Sequence, residues 1–284
     1  MASPYGLEFS DTLVLIMDLE QRTNAWFAAR KGKLTASNLG ALLGLVTWTS
    51  RTEAYRRMMG WSKFEGNAAC EYGVQMENTA ITSYATATGN IVEASGLHMH
   101  EQRKWIAGSP DGLVGSDGMI EVKCPFYNKV PHSRIPSYYY VQINCLLECT
   151  KRQWCDFVSW TPGKMTVFRV KRDKELFNWL VENPYKDIWR QVQESRPGIT
   201  PFKSGEKQLI EEKIQESMSH CIDYDYWEQH KPINVAWSPE PDPFPCSPKK
   251  RKYDEFLTVN VTDDTGQHPR LSGVPTDQAT LVQT

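Results

Sequence analysis

No stretch of the 284-residue chain stays apolar for the length a membrane helix needs, and its first residues do not place an apolar segment after a basic one. The sequence therefore reads as a soluble intracellular protein with no membrane partner. Its seven cysteines are odd in number and scattered, and none belongs to a Cys-x-x-Cys pair. This excludes a disulfide scaffold and argues for reduced thiols in the cytosol or nucleus. Cys145, Cys149 and Cys155 are close enough in sequence to raise a zinc site, but Cys145 and Cys149 sit at the helical spacing of core residues, where free cysteine is ordinary. An excess of one charge is missing too: the net value is −2, and seven acidic against five basic residues from Ile233 onward leave the rest neutral. Net charge thus excludes little, because a neutral chain can still bind nucleic acid through a local groove or a bound cation. An apolar content of 40% is enough for one large domain with extensions.

The chemistry-bearing residues concentrate in Gly108-Ser109-Pro110-Asp111-Gly112 and Met119-Ile120-Glu121-Val122-Lys123-Cys124-Pro125. Alternate side chains of a strand share a face, so Glu121 and Lys123 point one way while Ile120, Val122 and Cys124 point the other. The turn Gly115-Ser116-Asp117-Gly118 folds the two segments into a hairpin and brings Asp111 beside Glu121. Two close carboxylates repel unless one is protonated or a cation lies between them. Mg²⁺, with Mn²⁺ as a substitute, takes oxygen ligands at about 2.0–2.1 Å and suits such a pair, a backbone carbonyl and a substrate phosphate completing its shell. The cation would generate a nucleophile and screen phosphate charge, and Lys123 would stabilise the more negative transition state of phosphodiester hydrolysis. On spacing alone, an exposed aspartate and a surface Glu/Lys pair remain the plain alternative.

In chain order, residues 1–21 form an N-terminal extension whose apolar patch runs from Leu13 to Met17. Arg22–Arg30 reads as a helix with Trp26 and Phe27 inward, and Thr35 or Ser37 opens a second that ends at Gly44. Arg30, Ser37 and that helix N-terminus suit a phosphate; a capping serine and a solvated arginine are the alternative. Ser50 and Glu53 form a capping box ahead of a helix over Arg51–Met59. Over Ala68–Thr88, Gly73, Glu77, Ala80 and Tyr84 share one stripe, so Glu77 faces inward and needs either a metal site or an arginine as partner. Ile91–His100 and Trp105–Ala107 read as strands leading into the hairpin, and His98 and His100 alternate onto one face, the pattern of a half-exposed strand, with a metal site as the alternative. The polar loop Phe126–Arg134, with Lys129, His132 and Arg134, is open between contact with a DNA backbone and simple solvation. Pro136-Ser137 opens a helix on which Gln142 is the one polar residue among the core positions. Trp154–Trp160 and Met165–Val170 form a second hairpin, and helices follow over Asp173–Glu182, Pro184–Glu194 and Lys203–Cys221, the first two divided at Asn183-Pro184. Residues 232–284 are proline-rich and aperiodic, the composition of a disordered tail.

Ser-Pro-Asp-Gly followed by Ile-Glu-Val-Lys-Cys-Pro resembles the core of the PD-(D/E)XK nuclease superfamily, and specifically the YqaJ-like viral recombinase family that includes phage lambda exonuclease. Four further blocks carry the resemblance in the family's order. They are Arg30-Lys31-Gly32-Lys33-Leu34-Thr35-Ala36-Ser37 with Leu42-Leu43-Gly44; Gly73-Val74-Gln75-Met76-Glu77-Asn78 through Tyr84 and Thr88-Gly89; Tyr138-Tyr139-Tyr140-Val141-Gln142-Ile143; and Trp154 to Pro162. The resemblance implies an α+β domain over 22–231 with a restriction-endonuclease-like core, a central mixed β-sheet flanked by helices. It implies Asp111 and Glu121 as metal ligands with the Val122 carbonyl, Lys123 as the catalytic amine, and Glu77 and Gln142 as site residues, Glu77 reaching the metal through water. It places Arg30, Ser37 and Ser109 at the 5′-terminal phosphate of double-stranded DNA. The implied activity is a 5′-to-3′ exonuclease, with a ring-shaped homotrimer and a single-strand annealing protein as family expectations. An endonuclease on the same core and a non-catalytic nuclear DNA-binding module are the alternatives.

Within the tail, Pro248-Lys249-Lys250-Arg251-Lys252 resembles a monopartite nuclear localisation signal. Four consecutive cations in an extended acidic segment suit the acidic groove of an import receptor, and imply the nucleus of a eukaryotic host cell. A solvated basic run or an added DNA contact is the alternative.

Overall fold

The computed structural model describes residues 16–17, 20–63 and 65–231. The disordered tail expected over 232–284 lies outside the described residues, as do Pro248–Lys252 and most of the N-terminal extension. In chain order the elements are β1 Ile16–Met17, α1 Asn24–Arg30, β2 Leu34–Thr35, α2 Ala36–Leu42, α3 Arg51–Met58, α4 Ala68–Thr88, β3 Val92–Glu93, β4 Leu97–Met99, β5 Ile106–Gly108, β6 Gly112–Val114 and β7 Gly118–Lys123. They continue with α5 Ser137–Thr150, β8 Trp154–Thr161, β9 Lys164–Lys171, α6 Lys174–Leu180, α7 Lys186–Gln193, α8 Glu206–Cys221, β10 Ile222–Asp223 and α9 Tyr226–His230. The expected α+β class with mixed sheets flanked by helices is the observed one.

The larger sheet runs β10-β9-β8-β7-β6-β3. Its centre is the pair β7 and β8, which are parallel and joined through α5, as a parallel pair requires a crossover. Both strands are buried on their two faces, the pattern of strands covered by helices on each side, although each also carries buried polar residues. On one face Tyr140, Val141, Leu146 and Leu147 of α5 join the main core with Met119 and Phe157; on the other, Ala80, Tyr84 and Ala87 of α4 pack on Ile120, Val122, Val158 and Val167. The smaller sheet, β1-β4-β5-β2, delivers the chain through Gly108 into the Ser109–Asp111 turn. A Cβ at Gly108 would stand 2.6 Å from Leu146 Cδ2, so glycine lets α5 lie close against β5 there.

Four expectations need correction. Ile91–His100 is two strands in different sheets, β3 and β4, separated by Ala94-Ser95-Gly96, and His98 and His100 are buried rather than half-exposed. His98 meets the Ser95 hydroxyl at 2.6 Å and His100 stacks on Phe177. Phe27 points outward, 57% exposed, because it follows Trp26 by one helical step of about 100° and α1 turns Trp26 alone into the core. Asn183-Pro184 does not divide two helices. A π-turn over Val181–Tyr185, in which Lys186 N–H reaches Val181 C=O, accommodates the proline between α6 and α7 by widening the helix where a donor is missing.

Asp156 of β8 fastens α4 to the sheet. It is fully buried, accepts two bonds from Arg169 (2.8 and 2.9 Å) and one from the Tyr84 hydroxyl of α4 (2.7 Å). The Arg169 guanidinium in turn lies between the Trp154 and Tyr226 rings, 3.8 and 4.0 Å from their centroids. Asp156→Ala strands this arginine and the tyrosine hydroxyl, and should cost about 3 kcal/mol of folding free energy, measured by urea denaturation; a loss indistinguishable from zero would show that the network carries no weight.

Candidate active site

The β6–β7 ladder pairs Val114 with Gly118, Leu113 with Met119 and Gly112 with Ile120. One step beyond lie Asp111 and Glu121, so the hairpin register itself sets the two carboxylates side by side. Asp111 Oδ2 accepts the Val122 N–H at 2.7 Å. In a strand the N–H and C=O of one residue point to the same edge, so the Val122 carbonyl faces that side as well. Glu121 and Lys123 share the face of β7 that α5 covers, and Tyr139 and Gln142, three residues apart on α5, meet them there. Glu121 Oε1 accepts a bond from Gln142 Nε2 at 2.6 Å and another from Lys123 Nζ. The Lys123 ammonium lies 4.8 Å from the centroid of the Tyr139 ring.

Glu121 Oε2 is buried and has no hydrogen-bond partner. Leaving a carboxylate oxygen in this state costs free energy unless something else is meant to occupy it. Burial, and then the charge of Glu121, pushes the Asp111 carboxyl well above the usual range, against the pull of Lys123. Burial raises Glu121 as well, although Lys123 and Gln142 work the other way. For Lys123 burial disfavours the charge, yet the Glu121 and Asp111 carboxylates outweigh it and hold its pKa above the ordinary lysine value. Two acids and one ammonium leave this pocket short of one positive charge. The hard oxygen donors, the orphaned Oε2 and the mutual repulsion fit a divalent cation, with Asp111, Glu121 and the Val122 carbonyl as the groups that would hold it.

Glu77 adds its negative charge to the environment of both acids. It is nevertheless engaged elsewhere: Arg22 Nη2 donates to Glu77 Oε2 at 2.5 Å. The arginine partner and the site-facing position, open alternatives from the sequence, therefore occur together. Among the described residues Glu77, Asp111 and Glu121 do not bring three ligand atoms within 4.8 Å of one another, whereas Asp173, His220 and Cys221 do. That second cluster is a helix cap: Asp173 Oδ1 takes the N–H groups of Glu175 and Leu176, and Oδ2 accepts from Ser217 and Cys221. Cys145, Cys149 and Cys155 lie in the main core and form no such cluster.

Arg30, Ser37 and Ser109 also come together, through Trp26. Arg30 Nη2 donates to Ser37 Oγ at 2.7 Å and to Thr35 Oγ1 at 3.3 Å. Its guanidinium lies 3.9 Å from the Trp26 ring centroid, and Trp26 Nε1 donates to Ser109 Oγ at 3.0 Å. Burial lowers the Arg30 pKa to about 10, still far above neutrality, so the cation persists. The i, i+4 spacing of Trp26 and Arg30 on α1 was the signal that could have revealed this role. The expectation that His132 faces DNA or solvent needs correction: it lies in the loop, but its side chain turns inward. Its ring meets Ser159 Oγ at 2.8 Å and packs edge-on to Phe157 and Tyr139, and burial with the Lys123 charge lowers its pKa to about 4.

A mixed sheet carrying an Asp, Glu-x-Lys cluster at the end of its central parallel pair defines a nuclease fold of the restriction-endonuclease-like class. Residues 25–153 match the YqaJ-like viral recombinase domain. It is similar to the alkaline exonuclease of Laribacter hongkongensis, 29% identical with a TM-score of 0.52, over 68% of this chain and 99% of that one. The same values hold for that enzyme in complex with dAMP. An uncharacterised protein of Acanthamoeba polyphaga mimivirus is 24% identical over 167 residues, 52% of this chain; the match spans 30% of the mimivirus protein.

The pocket's uncompensated charge carries an expected cost in the metal-free protein. Asp111→Asn keeps an acceptor for the Val122 N–H and removes the repulsion, so it should stabilise the EDTA-treated protein by about 0.5–2 kcal/mol. Thermal denaturation with and without a divalent cation checks this: wild type should gain stability from the cation, and the variant should lose most of that response.

Proposed function

We propose that the protein is a Mg²⁺-dependent deoxyribonuclease that degrades one strand of linear double-stranded DNA from a 5′-phosphorylated end. The observation that carries the proposal is the buried Asp111–Glu121–Lys123 cluster with its unpartnered Glu121 oxygen, two residues along the chain from the Arg30–Ser37–Ser109 group. Likeness to an alkaline exonuclease supports the mode of attack. Bound at Asp111, Glu121 and the Val122 carbonyl, Mg²⁺ would supply Lewis acidity at the phosphate and make water a better nucleophile at neutral pH.

The protein's own groups divide the remaining work. Lys123, charged throughout the physiological range, stands where a phosphate would gather negative charge and stabilises it. Tyr139 and Glu121 restrict the amine to one position, which lowers the cost of organising it during reaction. Gln142 holds Glu121 Oε1 and so turns Oε2 toward the cation's place. Arg30, with Ser37, Thr35 and Ser109 around it, forms an anchor of one cation and several hydroxyls for a terminal phosphate, and its distance from the acids along one turn sets which linkage is presented. Residence in the nucleus, through an import receptor that reads Pro248–Lys252, and action in viral or mobile-element DNA recombination complete the proposal; the basic run lies outside the described residues.

Lys123→Ala and Asp111→Ala should each lower cleavage of end-labelled duplex by at least about 10³-fold while DNA binding in a gel-shift assay survives. EDTA should abolish cleavage by wild type, a 5′-hydroxyl end should be a poorer substrate than a 5′-phosphate, and a covalently closed circle should resist attack. A Lys123→Ala protein of normal rate would refute the mechanism, and cleavage of the circle would turn the reading toward an endonuclease. In a fluorescent fusion, replacing Lys249 and Lys250 by alanine should move the protein from nucleus to cytosol; an unchanged nuclear signal would remove the import proposal.

A further inference from the structure

Arg22 adopts φ 70°, the left-handed region that favours glycine, so something must hold an arginine there. Both neighbours do. Gln21 Nε2 donates to the Pro110 carbonyl at 3.0 Å and to the Ser95 carbonyl at 3.2 Å, which staples the segment to the turn bearing Asp111. Thr23 Oγ1 accepts the Trp26 N–H at 3.2 Å and donates to Glu20 O at 2.9 Å, which fixes the start of α1. The Arg22 backbone is therefore pinned while its side chain, 44% exposed, is not packed in. It reaches Glu77, 22% exposed, on the rim of the acidic pocket.

We propose that Arg22 is an exchangeable partner of Glu77: it neutralises the carboxylate while no cation is present, and moves onto a backbone phosphate of the DNA when the cation draws Glu77 in. The inference rests on the metal-dependent nuclease reading above. The charges balance in the exchange, since one ion pair, Glu77 with Arg22, is replaced by two, Glu77 with the cation and Arg22 with a phosphate. A guanidinium suits both roles because its planar fork matches carboxylate and phosphate alike. Its place suits them too. Pro110, to which Gln21 is tied, separates Ser109 of the phosphate group from Asp111 of the acidic pocket, so Arg22 is anchored between the two. An exposed Arg–Glu pair is also weak enough to be given up. Arg22 is thus a positioning residue for Glu77 in the empty site and a DNA contact in the filled one.

The test uses the full chain with Arg22→Gly, since glycine accepts the backbone conformation, and Arg22→Asn as a second variant that also tolerates it. Mn²⁺ binding without DNA, followed by the paramagnetic resonance of the free ion, should become about two- to fivefold tighter in both variants, the fold-change an exposed ion pair can withhold. On end-labelled duplex at saturating Mg²⁺, KM should rise about five- to tenfold with kcat changed less. In the Glu77→Gln background, Arg22→Gly should leave Mn²⁺ affinity unaltered. A purely structural arginine predicts weaker Mn²⁺ binding together with loss of kcat, and that result overturns the proposal, as does an unchanged Mn²⁺ affinity or an unchanged KM. Wild type that binds no Mn²⁺ defeats the nuclease reading and this proposal together, whereas wild-type binding indifferent to Arg22 defeats this proposal alone.

Discussion

Repulsion between the Asp111 and Glu121 carboxylates, held side by side in a buried pocket, is the constraint to which the rest of the structure answers. Left to themselves the acids would separate or take up protons. The hairpin register forbids the first: Asp111 is fixed by the Val122 N–H and Glu121 by its place in a strand paired on both edges. Lys123 and Gln142 compensate one oxygen of Glu121 and leave the other bare. The pocket is thus partly neutralised, enough to fold and too little to be satisfied without a further cation. Stability given up at a site of this kind must be recovered elsewhere. The Asp156–Arg169–Tyr84 network and the two cores around β7 and β8 are where this fold has surplus.

The same stretch of chain also couples the acidic pocket to the Arg30 group. Gly108 ends β5, Ser109 accepts the Trp26 indole, Pro110 accepts Gln21, and Asp111 enters the hairpin. Four consecutive residues therefore touch the smaller sheet, α1, the N-terminal segment and the larger sheet in turn. Under the proposed function, a phosphate anchor and a hydrolytic centre set on one rigid turn would keep the fixed separation that an enzyme working from a DNA end requires. The cation–π contact between Arg30 and Trp26 holds the guanidinium by its face and leaves its edge to the Ser37 and Thr35 hydroxyls.

Much of this was legible in the residues. Alternation along Ile120–Lys123 and the glycine turn at Gly115–Gly118 determined which side chains share a face and that Asp111 would stand opposite Glu121, since a period of two and a short loop admit little else. The helical stripe through Glu77, Ala80 and Tyr84 and the spacing around Gln142 likewise set which faces turn inward. Local rules failed in three places, one of them through a distant partner. The His132 side chain is drawn inward by Ser159, Pro184 is accommodated by a π-turn, and Phe27 lies outside because it is one helical step, about 100°, from the buried Trp26.

What the sequence determined by itself, then, is the set of chemical groups and their order along each element, because side-chain direction follows from backbone period alone. Only the tertiary structure decided which oxygen of Glu121 stays bare, that Trp26 joins Arg30 to Ser109, and that Arg22 lies against Glu77. Those outcomes depend on contacts between residues 55 to 83 positions apart, or on how α5 settles over β7, and no local periodicity encodes the relative placement of separate elements.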